Sequence, residues 1–110
     1  MRTFHTSVTD LRQPFSGSFT TYPYECGWAD EAIYFVTAED QTPAGAEIAL
    51  RVQLSADGIR WVDEGSTLQL SGPDAGFVRL AHFGGFLRLA GEVSADHGQA
   101  VLTVRLVLKG

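Results

Sequence analysis

The sequence predicts an all-β fold, namely an antiparallel β-sandwich or jelly roll of about seven or eight strands with an extended N-terminal arm. Apolar residues recur at every second position from residue 32 onward, and Gly, Pro and Asp interrupt these runs. No segment shows the 3.6-residue period of an amphipathic helix. These observations divide the 110 residues into an aromatic-rich arm, 1–31, and a sandwich domain, 32–110.

The arm shows little alternation, apart from a short candidate strand at 18–22. Its aromatic rings each have a large apolar area to bury, and a solvated tail would leave that area in water. We therefore expect the arm to lie on a surface, either that of its own sandwich or that of a neighbouring molecule, and both alternatives stay open. The interface residues predicted in the arm are Phe4, Phe15, Phe19, Tyr22, Tyr24 and Trp28.

The clearest strands of the sandwich domain are 47–55 and 100–109. In the first, four aliphatic residues alternate with Ala, Arg and Gln, so that one face is apolar and the other polar. A strand with one polar face is typical of an antiparallel sheet. The last strand repeats this pattern but also places Val101 and Val107 on its polar face. This pair predicts partial cover of that face, either by the arm or by another subunit.

The remaining predicted strands are shorter, and compact turns join them. Residues 55–58, Ser-Ala-Asp-Gly, fit a type I turn closed by a glycine in the left-handed region. Gly84 and Gly85 suit a two-residue hairpin turn, because glycine adopts positive φ without a clash at Cβ. These shorter strands are expected at 32–38, 59–63, 67–71, 77–82 and 86–90.

Composition limits the partners and the compartment. The formal charge is −5, with one lysine, which argues against a nucleic-acid partner because phosphate affinity depends on clustered cations. No window approaches the roughly 18 apolar residues that a membrane span needs, so no membrane partner is expected. The first ten residues lack the pattern of a signal peptide, which predicts cytoplasmic synthesis. Cys26 cannot form an internal disulfide and is expected to be a small, semi-buried apolar residue.

Catalytic patterns are absent from the sequence. The histidines, His5, His82 and His97, have no nucleophile elbow, phosphate loop or zinc-binding helix beside them. An enzyme is thus the least favoured class, and we expect no catalytic residue, cofactor or metal. A small hydrolase remains a third alternative, for which acidic residues, or His82 and His97, would have to cluster in a cleft.

Calcium binding is the one metal alternative with some basis in the sequence. Asp57, Asp74 and Asp96 occupy turns, where carboxylates and loop carbonyls can bind Ca²⁺. Aspartate is also a common turn former, and turn formation is the favoured interpretation.

Three aromatic residues are candidates for stacking on a ligand: Trp61, Trp28 and Tyr24. Core packing beside the turn at 55–58 is the alternative for Trp61. For Trp28 the alternative is anchoring of the arm.

Several stretches resemble a known group of proteins. They are 52–61 (VQLSADGIRW), 76–80 (GFVRL), 85–89 (GFLRL) and the closing 108–110 (LKG). Together they resemble small β-sandwich proteins of tailed phages and phage-derived particles, which are virion structural or head-decoration proteins. The resemblance covers 48–110 and implies a structural role. A weaker resemblance is to discoidin-type carbohydrate- or lipid-binding domains, which also pair an S-x-D-G-x-x-W hairpin with an aromatic-V-R-L strand. Those domains are normally tied by a disulfide, which a chain with one cysteine cannot form.

We expect a non-catalytic structural module that self-associates, for example as a trimer, and attaches to a shell or tail protein of a particle, with the arm as the contact. On this hypothesis, deletion of 1–28 leaves a folded body that no longer associates. The alternative is a carbohydrate-binding module that uses exposed aromatic residues.

Overall fold

The computed structural model describes residues 4–94 and 99–110. In these residues the chain forms nine β-strands and no helix, which confirms the predicted all-β class. The strands are β1 (Phe4–Phe15), β2 (Gly17–Thr20), β3 (Tyr24–Glu25), β4 (Glu31–Ala38), β5 (Glu47–Ser55), β6 (Val62–Ser71), β7 (Asp74–Ala81), β8 (Phe86–Ser94) and β9 (Ala100–Lys109).

The strands build two antiparallel sheets, as predicted for a β-sandwich. The four-stranded sheet has the order β1-β9-β4-β7, and the five-stranded sheet has the order β2-β8-β5-β6, with β3 also paired to β8. The alternating apolar residues of β4, β5, β8 and β9 are buried and form one core cluster. Its largest fully buried side chains include Tyr34, Ile48, Leu87, Leu89, Leu102 and Leu106.

The strands predicted at 47–55 and 100–109 agree with β5 and β9, whereas the strand predicted at 59–63 is wrong. Ile59 is exposed and precedes β6, which begins at Val62. The cause is Asp57, whose Oδ1 accepts hydrogen bonds from the backbone N–H groups of Ile59 and Arg60, at 2.8 and 2.9 Å. Those N–H groups serve the turn and not a strand ladder. β6 continues without interruption from Val62 to Ser71. It therefore includes residues 64–66, which were predicted to separate two strands.

The described part of the N-terminal arm contributes three strands to the sheets of its own chain. β1 pairs with β9, and β2 and β3 pair with β8. β1 shows no clear alternation in sequence because its pairing shifts between Val8 and Asp10 and again between Asp10 and Gln13. Each irregularity changes which side chains point inward. Residues 4–25 of the arm therefore lie on the sandwich of their own chain, which is one of the two locations that the sequence left open.

Candidate assembly surface

The six aromatic residues predicted as the arm interface divide into two groups. Phe15, Phe19 and Tyr24 are half-buried against the core, and the rings of Phe15 and Phe19 stack with centroids 4.3 Å apart. The other three remain exposed: Phe4 by 64%, Tyr22 by 73% and Trp28 by 46%. The first group stabilises the sandwich of its own chain, and the second is available for contact with another molecule.

The exposed rings line one groove, which we call the aromatic groove. It lies between the first half of β1 and the segment 22–28, and its volume is about 740 Å³. Its polar groups include His5, whose Nε2 lies 2.9 Å from the hydroxyl of Tyr24 in a hydrogen bond. Its apolar walls are formed by Phe4, Val8, Tyr22, Pro23, Tyr24 and Trp28.

Hydrogen bonds hold the wall that carries Tyr22 in place. Thr21 is buried; its N–H donates to the carbonyl of Leu89, and its hydroxyl accepts from the N–H of Leu89, at 2.8 and 2.9 Å. The N–H of Tyr22 donates to Oδ1 of Asp10, a largely buried carboxylate of β1, at 3.2 Å. The backbone that carries the exposed ring of Tyr22 is thus fixed on both the β8 and the β1 side.

A second exposed apolar surface is the outer face of the four-stranded sheet. The strand register puts Val8, Arg105, Phe35 and Phe77 in a single row across all four strands. Residues paired directly in an antiparallel sheet point to the same side. Phe35 is 41% exposed and Phe77 is 49% exposed, and their ring centroids lie 6.0 Å apart. The middle of this face is thus aromatic and open to solvent.

Cations accompany the aromatic rings of the outer face. The guanidinium of Arg79 lies 5.3 Å from the ring centroid of Phe77. The ammonium of Lys109 lies 5.9 Å from the ring centroid of Phe4. Such cation–π contacts are favourable and keep the charges close to the apolar surface.

The groove and the outer face are continuous, because Phe4 and Val8 belong to both. We call the combined surface the assembly surface. The sequence pattern predicts the arm residues of this surface but not Phe35 and Phe77. A signal for both was present, since each is an aromatic residue on the outward side of a strand whose other face is apolar.

The three predicted stacking residues do not form one site. Trp28 and Tyr24 both line the aromatic groove, whereas Trp61 lies before β6 and is half-buried. The guanidinium of Arg88 lies 4.3 Å from the ring centroid of Trp61, and its Nε donates to Oε1 of Gln53 at 2.8 Å. Burial of this guanidinium, followed by the charge of Arg51, lowers the pKa of Arg88. Trp61 is therefore part of a polar network on the outside of the five-stranded sheet.

The residues considered for catalysis and calcium that the structure describes are His5, His82, Asp57 and Asp74, and they occupy different positions along the chain. His5 is in the groove, and His82 follows β7 with a positive φ of 57°. Hydrogen bonds from the backbone N–H groups of Arg60 and Ile59 lower the pKa of Asp57. The carboxylate of Asp57 therefore stabilises the turn that contains it. Asp96 and His97 lie outside the described residues.

In the part of the chain that the structure describes, no three His, Cys, Asp or Glu residues are grouped to hold a metal ion. A helix long and apolar enough to cross a bilayer is also not found among those residues.

Cys26 is fully buried beside the groove, and its N–H donates to the carbonyl of Gly85 at 2.7 Å. Burial, with a smaller contribution from the charge of Glu25, raises the pKa of the thiol to about 11. At pH 8 roughly one thiol in a thousand is then ionised, compared with roughly a quarter for an unperturbed thiol. We expect alkylation by iodoacetamide at pH 8 to be at least about 100-fold slower in the native protein than in urea, because the thiolate is the nucleophile. Equal rates in the two conditions, measured by mass spectrometry, would show that the thiol is accessible.

The two-sheet arrangement is a β-sandwich that also occurs in phage-derived and viral proteins. The SPBc2 prophage-derived protein YomS superposes with a TM-score of 0.64 at 7% identity, and the match covers 100% of this chain and 96% of YomS. A chain from the structure of infectious bursal disease virus, Gx strain, gives 0.62 at 10% identity, with 99% and 33% covered. The PBSX exported protein XepA gives 0.60 at 8% identity, with 98% and 36% covered.

This chain therefore spans about one third of the length of the viral protein and of XepA. No protein-family model and no curated protein sequence matches it. The expected structural resemblance to phage-derived proteins is confirmed, and at these identities the likeness concerns the fold.

Proposed function

We propose that this chain is a non-catalytic structural subunit of a phage-like particle and that it associates with copies of itself through the assembly surface. The observation that carries the proposal is the distribution of its exposed rings. Phe4, Tyr22, Trp28, Phe35 and Phe77 lie on one continuous surface and are not scattered over the molecule. A contiguous apolar patch of this kind marks a protein contact. The fold shared with phage-derived and viral proteins supports the same role.

The composition of the assembly surface is that of a protein interface. Aromatic residues and arginine are enriched in interfaces, and they provide most of the binding energy in alanine scans. The outward residues Glu31, Ile33 and Phe35 of β4 mark three rows across the sheet. With rows about 6.8 Å apart and four strands about 4.8 Å apart, the outer face has a flat area of roughly 400 Å². A stable contact buries about 800 Å² on each partner. The outer face alone is too small for this, and the adjoining aromatic groove supplies the additional area.

The arm takes part in this contact without leaving its own sandwich. The sequence left open whether the arm covers its own sandwich or a neighbour, and β1, β2 and β3 pair with strands of the same chain. The proposed contact is instead made by the side chains that these strands leave exposed. Any part of the assembly surface that the other copies do not cover can then bind a shell or tail protein.

Light scattering coupled to size-exclusion chromatography tests the proposal. The chain has a mass of 11.9 kDa, and we expect the wild type to elute as a defined multiple of it, for example three times this value. The double variant Tyr22→Ser/Trp28→Ser removes two exposed rings from the groove and is expected to shift the mass to that of one chain. Ile59→Ser is the matched control, since Ile59 is exposed but does not line the groove.

A wild type that remains at the mass of one chain at the highest soluble concentration would overturn self-association. If the groove variant and the control both keep the wild-type mass, association occurs through a different surface.

Carbohydrate binding is the second candidate, and one observation favours it. Trp28 and Tyr24 line the same groove, where their rings could stack on a sugar while His5 offers a hydrogen-bonding nitrogen. A glycan array probed with the wild type and with Trp28→Ala tests this function. Binding that Trp28→Ala abolishes would support it, and absence of binding by the wild type would refute it.

A further inference from the structure

A shallow hollow on the outside of the five-stranded sheet, which we call the polar depression, shares no residue with the aromatic groove. Its volume is about 350 Å³, near the lower end of the range for small-molecule sites. Ala90 of β8 lies at its centre, and this small side chain leaves room between Arg88 and Glu92 on the same side of the strand. The polar side chains that line the depression are Ser18, Thr20, Arg51, Gln53, Arg88 and Glu92.

Two contacts fix the side chain of Arg88 at one end of the polar depression. Its guanidinium lies 4.3 Å from the ring centroid of Trp61, and its Nε donates to Oε1 of Gln53 at 2.8 Å. Both partners are uncharged. The hydrogen bond to Gln53 uses Nε, so both Nη groups of Arg88 can donate to a further acceptor. A planar guanidinium held in place in this way is preorganised to bind a carboxylate through two parallel hydrogen bonds.

The electrostatic surroundings of Arg88 favour an anion beside it. Burial, followed by the charge of Arg51, lowers the pKa of Arg88. Both effects disfavour the charged guanidinium, whereas a bound anion favours it. Arg51 itself is paired with Asp63, whose Oδ1 lies 3.3 Å from Nε of Arg51 and also accepts a hydrogen bond from Nε2 of Gln53 at 3.0 Å. The carboxylate of Asp63 is therefore engaged by these two side chains.

The rest of the polar depression favours a ligand that also carries hydroxyl groups. Ser18 and Thr20 present exposed hydroxyls, which can donate or accept. The Cα atom of Glu92 lies about 13 Å along β8 from that of Arg88, at about 3.3 Å per residue. Its carboxylate can accept hydrogen bonds from ligand hydroxyls but repels a second negative group.

A peptide fits the polar depression less well than a sugar does. The backbone of β8 is already paired with β2 on one side and with β5 on the other. An extended peptide therefore cannot add to β8 as a further strand. The depression offers side chains only, and a saccharide is recognised by hydrogen bonds to side chains.

We propose that the polar depression binds an acidic saccharide, with the carboxylate of a sugar on the guanidinium of Arg88 and its hydroxyls on Thr20 and Glu92. This function goes beyond the proposed self-association and does not require it. It also differs from sugar binding in the aromatic groove, which would depend on Trp28 and Tyr24. An assembly of several copies would carry one such site on each copy, which strengthens binding to a polymeric saccharide.

Two-dimensional proton–nitrogen NMR of the wild type tests the site. The probes are the methyl glycosides of glucuronate, galacturonate and N-acetylneuraminate, each compared with its uncharged methyl ester. We expect at least one acid to shift the indole N–H signal of Trp61 and the Nε–H signal of Arg88 until they saturate. The matching ester is expected to bind at least about tenfold more weakly, because it lacks the charge-assisted hydrogen bonds.

Four variants locate the binding site. Arg88→Gln is expected to weaken binding of the same acid at least about tenfold, and Thr20→Val about two- to tenfold. Arg60→Gln and Trp28→Ala are the controls, because neither residue lines the polar depression, and both are expected to bind like the wild type. Melting temperatures measured by circular dichroism establish that the variants are folded. If Arg88→Gln does not fold, Thr20→Val tests the site without touching the contact between Arg88 and Trp61.

Three outcomes would overturn this inference. The first is that none of the three acids shifts the signals, and the second is that acids and esters bind equally. The third is that Trp28→Ala abolishes binding while Arg88→Gln keeps it, which would put the sugar in the aromatic groove. None of these outcomes affects the proposed self-association, which the mass of the wild type tests separately.

Discussion

Deletion of residues 1–28 is expected to unfold the protein. The deletion removes β1, β2 and β3, and β1 is the strand that pairs with the outer edge of β9. Leu106 and Leu108 of β9 are fully buried in the intact chain and lie opposite Ser7 and His5 of β1. Without β1, the edge of the sheet and the core beneath it become exposed to water.

The size of this effect follows from what the deleted segment buries. It supplies Phe15, Phe19, Tyr24 and Cys26 to the core, either buried or packed against it. Burial of a large apolar side chain contributes about 1.5–3 kcal/mol, and the net stability of a domain is only about 5–15 kcal/mol. Loss of several such side chains, together with the pairing of β1 and β9, therefore removes most or all of the net stability.

Far-UV circular dichroism and urea denaturation of the fragment 29–110 test this prediction, with the full chain as reference. We expect the fragment to lack a cooperative transition. A fragment with the same transition as the full chain would restore the expectation from sequence, in which 32–110 folds alone and the arm is dispensable.

The strands that could be predicted from sequence are those whose alternation is regular. β5 and β9 pair on both sides and point every second side chain, an apolar one, into the core, so that apolar residues recur with a period of two along both strands. β1 could not be predicted in this way. Arg12 has a positive φ of 46° and lies within an irregular stretch of the β1–β9 pairing, which shifts the inward positions along the strand.

The candidate site was predictable only in part, for a different reason. Six arm rings were identified as interface residues, but the sequence does not say which of them pack against the core. Which rings are buried and which are exposed depends on the tertiary hydrogen bonds that fix the backbone, such as the two between Thr21 and Leu89. The row formed with Phe35 and Phe77 depends on the order β1-β9-β4-β7, which joins strands far apart in sequence. Periodicity describes one strand at a time and carries no information on such an order.

Gly91→Ala is expected to destabilise the protein by about 3 kcal/mol, at the upper end of the usual cost of overpacking a core. Gly91 lies in β8, where it pairs with Phe19 on one side and with Leu50 on the other. A Cβ atom at this position would lie 2.7 Å from Cδ2 of Leu50, 2.8 Å from the carbonyl oxygen of Ala49 and 2.9 Å from Cζ of Phe19. The side chains can move only slightly in a close-packed core, and the carbonyl belongs to the backbone of the central strand β5.

The matched control is Gly45→Ala, where an added Cβ meets no atom within 4 Å and φ is not positive. Replacing a glycine by alanine at such a site lowers the conformational entropy of the unfolded chain. This variant is therefore expected to be as stable as the wild type or more stable by about 0.4–1 kcal/mol. Urea denaturation of both variants measures the difference in the free energy of unfolding. If Gly91→Ala and Gly45→Ala changed the free energy of unfolding equally, side chains and backbone of β2 and β5 would not lie as close to Gly91 of β8 as the structure places them. The anchoring of Phe19, and of the arm that carries the aromatic groove, depends on that approach.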